Sequence, residues 1–148
     1  MIIILAISVI IITLFIIDYI NKKSKKIELE SYLIDALAEI RYLSILFSTI
    51  YDLSIKNQVD KDKHIIIKTK SEESELKIVY LTHRLNQLNV IDRNVRLVLE
   101  QLKSRYLAFI YTAQSKNTKI EEINRTSYHL NDSLLKLNNE IERLIDKN

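Results

Sequence analysis

From Leu29 onward the apolar residues fall at alternating intervals of four and three: Leu29, Leu33, Ala36, Ile40, Leu43, Phe47 and Ile50. At 3.6 residues per turn this spacing gathers them on one face of an α-helix, so the stretch predicts an amphipathic helix over about 27–56. The period lapses over residues 56–71, which are charged apart from Ile65, Ile66 and Ile67, and a connecting loop with a short extended piece at 64–67 is expected there.

The period resumes at Ile78 and continues through Leu81, Leu85, Leu88, Asp92, Val95, Leu99, Leu102, Tyr106, Phe109 and Ala113. Thr69 and Glu72 have capping-box spacing, and Glu72, Glu73 and Glu75 would load a first turn with the charge that suits the positive end of the helix dipole. A second helix is therefore expected over about 72–113. Ile91, Leu97, Val98 and Ile110 widen its apolar stripe, which predicts contact with two neighbours. The polar stretch 114–118 reads as a turn, and Thr118 with Glu121 repeats the capping-box spacing ahead of a third helix over about 119–146. Its stripe is Ile120, Ile123, Ser127, Leu130, Leu134, Leu137, Ile141 and Leu144, a heptad pattern interrupted only by a serine.

Three amphipathic helices joined by short turns predict an all-α fold, an antiparallel three-helix bundle over residues 27–148. A competing reading follows from the phase of the pattern, which is unbroken from Ile78 to Leu144 and would equally describe one long coiled-coil helix.

Residues 1–17 contain no charged side chain, and the basic cluster Lys22, Lys23, Lys25 and Lys26 follows shortly after. A spanning helix needs roughly 17 to 25 residues, so the run 1–20 is expected as a single transmembrane anchor and 21–26 as a basic junction. A cleaved signal peptide would want its basic residues before the apolar run. The lysines, by the excess of positive charge on cytoplasmic flanks, would place the N-terminus outside and the helical part in the cytoplasm. Nothing between Ile20 and Leu29 obliges a break, so the anchor is expected to run directly into the first bundle helix.

Composition narrows the chemistry. The chain of 148 residues has no glycine and no proline, which removes the residues that tight turns and sheets rely on, and with them the glycine-rich phosphate loops. It has no cysteine, so disulfides, thiolate nucleophiles and cysteine-based zinc sites are excluded. The three histidines, His64, His83 and His129, lack the i, i+4 pairing of a helical metal site, and no serine has a histidine spaced to activate it. No catalytic residue, cofactor or small-molecule substrate is expected.

Charge carries more. The net charge is only +3, yet residues 77–119 hold Lys77, Arg84, Arg93, Arg96, Lys103, Arg105, Lys116 and Lys119 against Asp92 and Glu100. Arg93, Arg96 and Lys103 share one helical face and form a candidate basic patch for a nucleic acid or an acidic partner. Asp92 is the one charge in an expected core stripe, where a carboxylate needs a basic partner, either Arg96 one turn on or a residue of a neighbouring helix. In a seam such a group can fix register.

In layout, an apolar segment, a basic junction and a long helical remainder, the chain resembles the peripheral-stalk b subunit of rotary ATP synthases and the membrane-anchored replication organisers of some phages, without sharing a residue motif with either. The function expected is that of a non-enzymatic, membrane-anchored assembly or scaffold protein. It would act by self-association or by binding a helical protein partner, with the third helix (Ile120, Ile123, Leu130, Leu134, Leu137, Ile141, Leu144) as the interacting element. A membrane-tethered nucleic-acid binder and a membrane-acting effector are the alternatives.

Overall fold

The computed structural model describes residues 2–55, 61–115 and 118–147, with the side chains of residues 2–10 and 61–62 outside the description. It is all-helical, about 93% helix, with no strand among the described residues. Four helices follow one another: α1 (Ile2–Ile55), α2 (Lys61–Asn86), α3 (Arg93–Gln114) and α4 (Ile120–Lys147). Each packs against its neighbours in sequence and α4 closes back on α1, while α1 and α3 meet only briefly across the middle.

The cross-helix bonds fix the directions. Asp35 of α1 meets Arg84 of α2, and Glu39 meets Lys77, so α1 and α2 run antiparallel. Asp92 meets Arg143 and Arg105 meets Asp132, so α3 and α4 do the same. The result is an up-down-up-down four-helix bundle.

The core is built by the stripes that the periodicity marks. Leu33, Leu43, Phe47 and Ile50 of α1, Leu81 and Leu85 of α2, Leu99, Leu102 and Phe109 of α3, and Leu130, Leu137 and Ile141 of α4 are buried in one cluster. Phe47 and Tyr106 pack ring to ring with centroids 5.7 Å apart.

Two expected boundaries are corrected. Residues 61–71, expected as loop with an extended piece at 64–67, are the first turns of α2, while residues 56–60 lie outside the described set. The stripe is Ile67, Ser71, Ser74, Ile78, spaced by four, three and four, and both serines are buried. Each satisfies its hydroxyl on the carbonyl one turn back, Ser71 on Ile67 at 2.7 Å and Ser74 on Lys70 at 2.8 Å, so a polar residue sits in the core without an unpaired group. Thr69 is likewise inside the helix, bonded to the Ile65 carbonyl at 3.0 Å, and is no N-cap.

The second correction splits the expected helix 72–113. The chain leaves helix at Asn86 and re-enters it at Arg93, through a turn held by Leu88 N to Leu85 O at 3.0 Å and Ile91 N to Leu88 O at 3.3 Å. Three helices become four, and the single long helix from Ile78 to Leu144 is excluded. Phase survives the break because Leu88 and Ile91 still turn inward, Leu88 half-buried and Ile91 buried. The turn expected at 114–118 lies where α3 ends and α4 begins, its residues 116–117 outside the described set.

The single-pass membrane localisation is corrected as well. Among the described residues no helix is long and apolar enough to cross a membrane. From Ile11 onward α1 meets Asp18 after seven positions and then Lys22, Lys23, Lys25 and Lys26, which leaves far fewer than the roughly 20 apolar residues a span requires. The side chains of the preceding residues 2–10, on which the expected anchor depends, lie outside the description. Without a span, the orienting role expected for the four lysines falls too. They stand exposed on α1, Lys22 paired with Asp18 at 2.7 Å. The expected continuity is observed, since α1 passes positions 20 and 26 without interruption.

Candidate functional site

Among the described residues, four ion pairs hold one helix to the next. Along the α1/α2 seam, Lys77 contacts the Glu39 carboxylate at 2.9 Å and lies 5.3 Å from the centre of the Tyr42 ring. Arg84 bonds Asp35 at 2.9 Å while its guanidinium stacks over the rings of Tyr32 and Tyr80. Glu73 accepts from Lys70 at 2.8 Å and from the Tyr42 hydroxyl. Those two bonds hold its carboxyl below the usual carboxylate range, Lys70 contributing most, and the bond to Glu73 raises the Tyr42 phenol in turn.

The α3/α4 seam is tied at three heights. Arg105 spans Asp132, Ser133 and the His129 carbonyl at 2.8 to 2.9 Å. Thr112 and Thr126 share a hydrogen bond of 2.8 Å near one end. At the other, Asp92 works on both of its oxygens: Oδ1 accepts from the Asn94 and Val95 amides at 3.0 and 3.1 Å, and Oδ2 accepts from Arg143. Asp92 is thus the N-cap of α3, half-exposed at the end of the stripe, and its partner is on a neighbouring helix. The Arg143 bond, then the amide bonds, hold its carboxyl below the usual range.

The stripe of α4 lies inside the bundle. Ile123, Leu130, Leu134, Leu137, Ile141 and Leu144 are buried, and of the seven residues only Ile120 is exposed. This surface is consumed by the protein's own α1 and α3.

Two surfaces stand out among the described residues. The first is the part of α1 from Ile11 to Glu28, which projects past the bundle with every side chain exposed. Ile11, Ile12, Leu14, Phe15, Ile16, Ile17 and Ile20 stand between 48% and 73% exposed, on all sides of the helix. Periodicity alone could not have found this, because an apolar run without a period says nothing about what it packs against. The second is the α2/α3 seam, the least closely packed of the four neighbouring pairs. A cleft of about 330 Å³ opens in it between Thr82, Asn86, Arg96, Leu99 and Glu100. Of the expected basic patch, Arg93 and Arg96 are exposed and make no side-chain ion pair among the described residues, and Lys103 is half-buried and reaches Glu100 at 3.4 Å.

Among the described residues no group of three or more His, Cys, Asp or Glu side chains is placed to hold a metal ion. No protein-family model, curated protein or solved structure matches the chain.

Proposed function

We propose that the protein is a non-enzymatic helical assembly protein, acting through contacts between its uncovered helix surfaces and other protein chains. The observation that carries this reading is the exposed extension of α1, where Phe15 is 73% exposed and six further bulky aliphatic side chains surround it. A helix that is apolar on every side is stable in its surroundings only when neighbours cover it, and each such side chain contributes roughly 1.5 to 3 kcal/mol when buried. The bundle supplies a rigid base for that extension, because α1 is one uninterrupted helix from the extension into the core.

Support also comes from how the polar residues are used. Asp35, Glu39, Glu73, Asp92 and Asp132 are each engaged in an ion pair that fastens one helix to another or to itself. Groups committed in this way position helices.

Sedimentation of the full chain over a range of concentrations tests the reading, together with a variant carrying Ile12→Ser, Phe15→Ser and Ile16→Ser. The full chain is expected to associate or to be cross-linked to a partner in its native setting, and the variant to do neither while keeping its helicity. A full chain that stays monomeric at every concentration and yields no cross-linked partner rejects the reading.

A further inference from the structure

The α2/α3 groove is the most loosely held of the four seams, since the α1/α4 seam, which also lacks a cross-helix ion pair among the described residues, is far more closely packed. The α1/α2 and α3/α4 seams are crossed by ion pairs, whereas among the described residues none crosses from α2 to α3. At one end the groove is pinned by Tyr106, whose hydroxyl donates to the Ser71 carbonyl, and by Gln114 to the Ser71 hydroxyl at 3.4 Å. Toward the other end it opens into the cleft beside Arg96.

The helical repeat extends the walls of that cleft. Val79 precedes Asn86 by seven residues and Leu107 follows Glu100 by seven, so each lies two turns farther along the same face as a residue that lines the cleft. Both are exposed, 57% and 63%. Arg93 stands one turn from Arg96 at the open end. The groove therefore carries unpaired positive charge at one end and bare apolar side chains beyond it.

We propose that this groove is a docking site for an amphipathic helix of another protein, one with acidic side chains at one end of its apolar stripe. The acidic end sits over Arg93 and Arg96, and the apolar stripe covers Val79 and Leu107. The charge pattern favours a protein helix over a nucleic acid. Two adjacent arginines, about 4.5 Å apart along the axis, neutralise few phosphates. The inference rests on the reading of the chain as an assembly protein and adds the surface and the chemistry of the partner.

The test titrates the full chain with two 18-residue helical peptides that share one leucine stripe, the first with glutamates at one end and the second with lysines there. Binding is read by heteronuclear NMR, which locates the perturbed residues. The glutamate peptide is expected to bind at least about tenfold tighter than the lysine peptide, to shift signals around Thr82, Arg96 and Leu107, and to weaken with salt. Arg93→Glu with Arg96→Glu, both at exposed positions, should reverse the preference while leaving the circular dichroism unchanged. Equal affinity for the two peptides overturns the proposal, as does binding that the double variant leaves intact. Duplex DNA that shifts the same signals and loses affinity steeply with salt overturns it in favour of a nucleic-acid surface. If association through the α1 extension persists while the groove binds neither peptide, the docking site alone is rejected.

Discussion

Arg143, one turn from the end of α4, donates to Asp92, the residue that starts α3, across 51 positions of sequence. The same carboxylate caps α3 through its other oxygen, so one side chain both begins a helix and sets how far α4 slides along it. Asp92→Ala is expected to cost about 1 to 2 kcal/mol in chemical denaturation, at the upper end of what loss of an N-cap costs. Asp92→Asn keeps a capping oxygen and should cost less. If the two variants unfold at the same denaturant concentration as the parent chain, the linkage contributes nothing.

Stability should fall in acid because carboxylates that hold the helices are depressed. Asp92 is lowered chiefly by Arg143, Asp132 by Lys136 and then Arg105, and Glu73 by Lys70 and then Tyr42. A group whose folded value lies below its unfolded value stabilises the fold fully above the unfolded value, about 4 for a carboxyl, and that contribution is lost as pH falls through the folded value. The denaturation midpoint is therefore expected to hold steady from neutral pH down to about 5 and to drop below about 4. Combining Asp92→Asn with Asp132→Asn should flatten the drop. An equally steep acid limb in that double variant would assign it to other groups.

Tyr106 is buried, and its phenol is raised above its ordinary value by burial first and by the nearby Glu75 second. Its hydroxyl donates to the Ser71 carbonyl and pins α3 to α2. Tyr106→Phe keeps the ring against Phe47 and should cost about 0.5 to 1.5 kcal/mol, the net worth of one such bond. Tyr106→Ala also empties the ring's place in the core and should cost about 3 to 5 kcal/mol. Calorimetry showing the two variants equally stable would mean that the ring packing carries little.

Leu134→Ala and Leu137→Ala report on folding, since both side chains are buried between helices. Each should destabilise the bundle by about 2 to 5 kcal/mol. A variant that keeps its full unfolding midpoint yet loses self-association would show that α4 leaves the bundle to bind another chain.

How far the sequence reaches is clearest at three places. The four-and-three spacing was enough to determine that the chain is helical and to mark most of the core: Leu33 to Ile50, Ile78 to Leu85, Val95 to Ala113 and Ile123 to Leu144 lie where their period puts them, whereas Leu46 and Ile67 are buried outside any stripe it marked. The reason is local, since a stripe of apolar residues at helical spacing has one way to leave water.

The number of helices was settled only by tertiary structure. Ser71 falls in the polar stretch read as a loop, but small hydroxyls that bond their own helix, as those of Ser71 and Ser74 do, can sit where the core is tight, so α2 begins eleven residues earlier than its pattern suggests. At 87–92 the phase of the pattern is unbroken while the backbone turns back on itself, because a turn that returns the next inward residue to the core leaves no trace in a count of intervals. Asp92 shows the same division. Its place in the stripe and its need for a basic partner were legible, whereas its capping of α3 and its choice of Arg143 over Arg96 came from a chain reversal that brings α4 alongside. The exposed extension of α1 and the open α2/α3 groove belong wholly to the tertiary structure, since whether an apolar or charged surface is covered depends on which other helices arrive beside it.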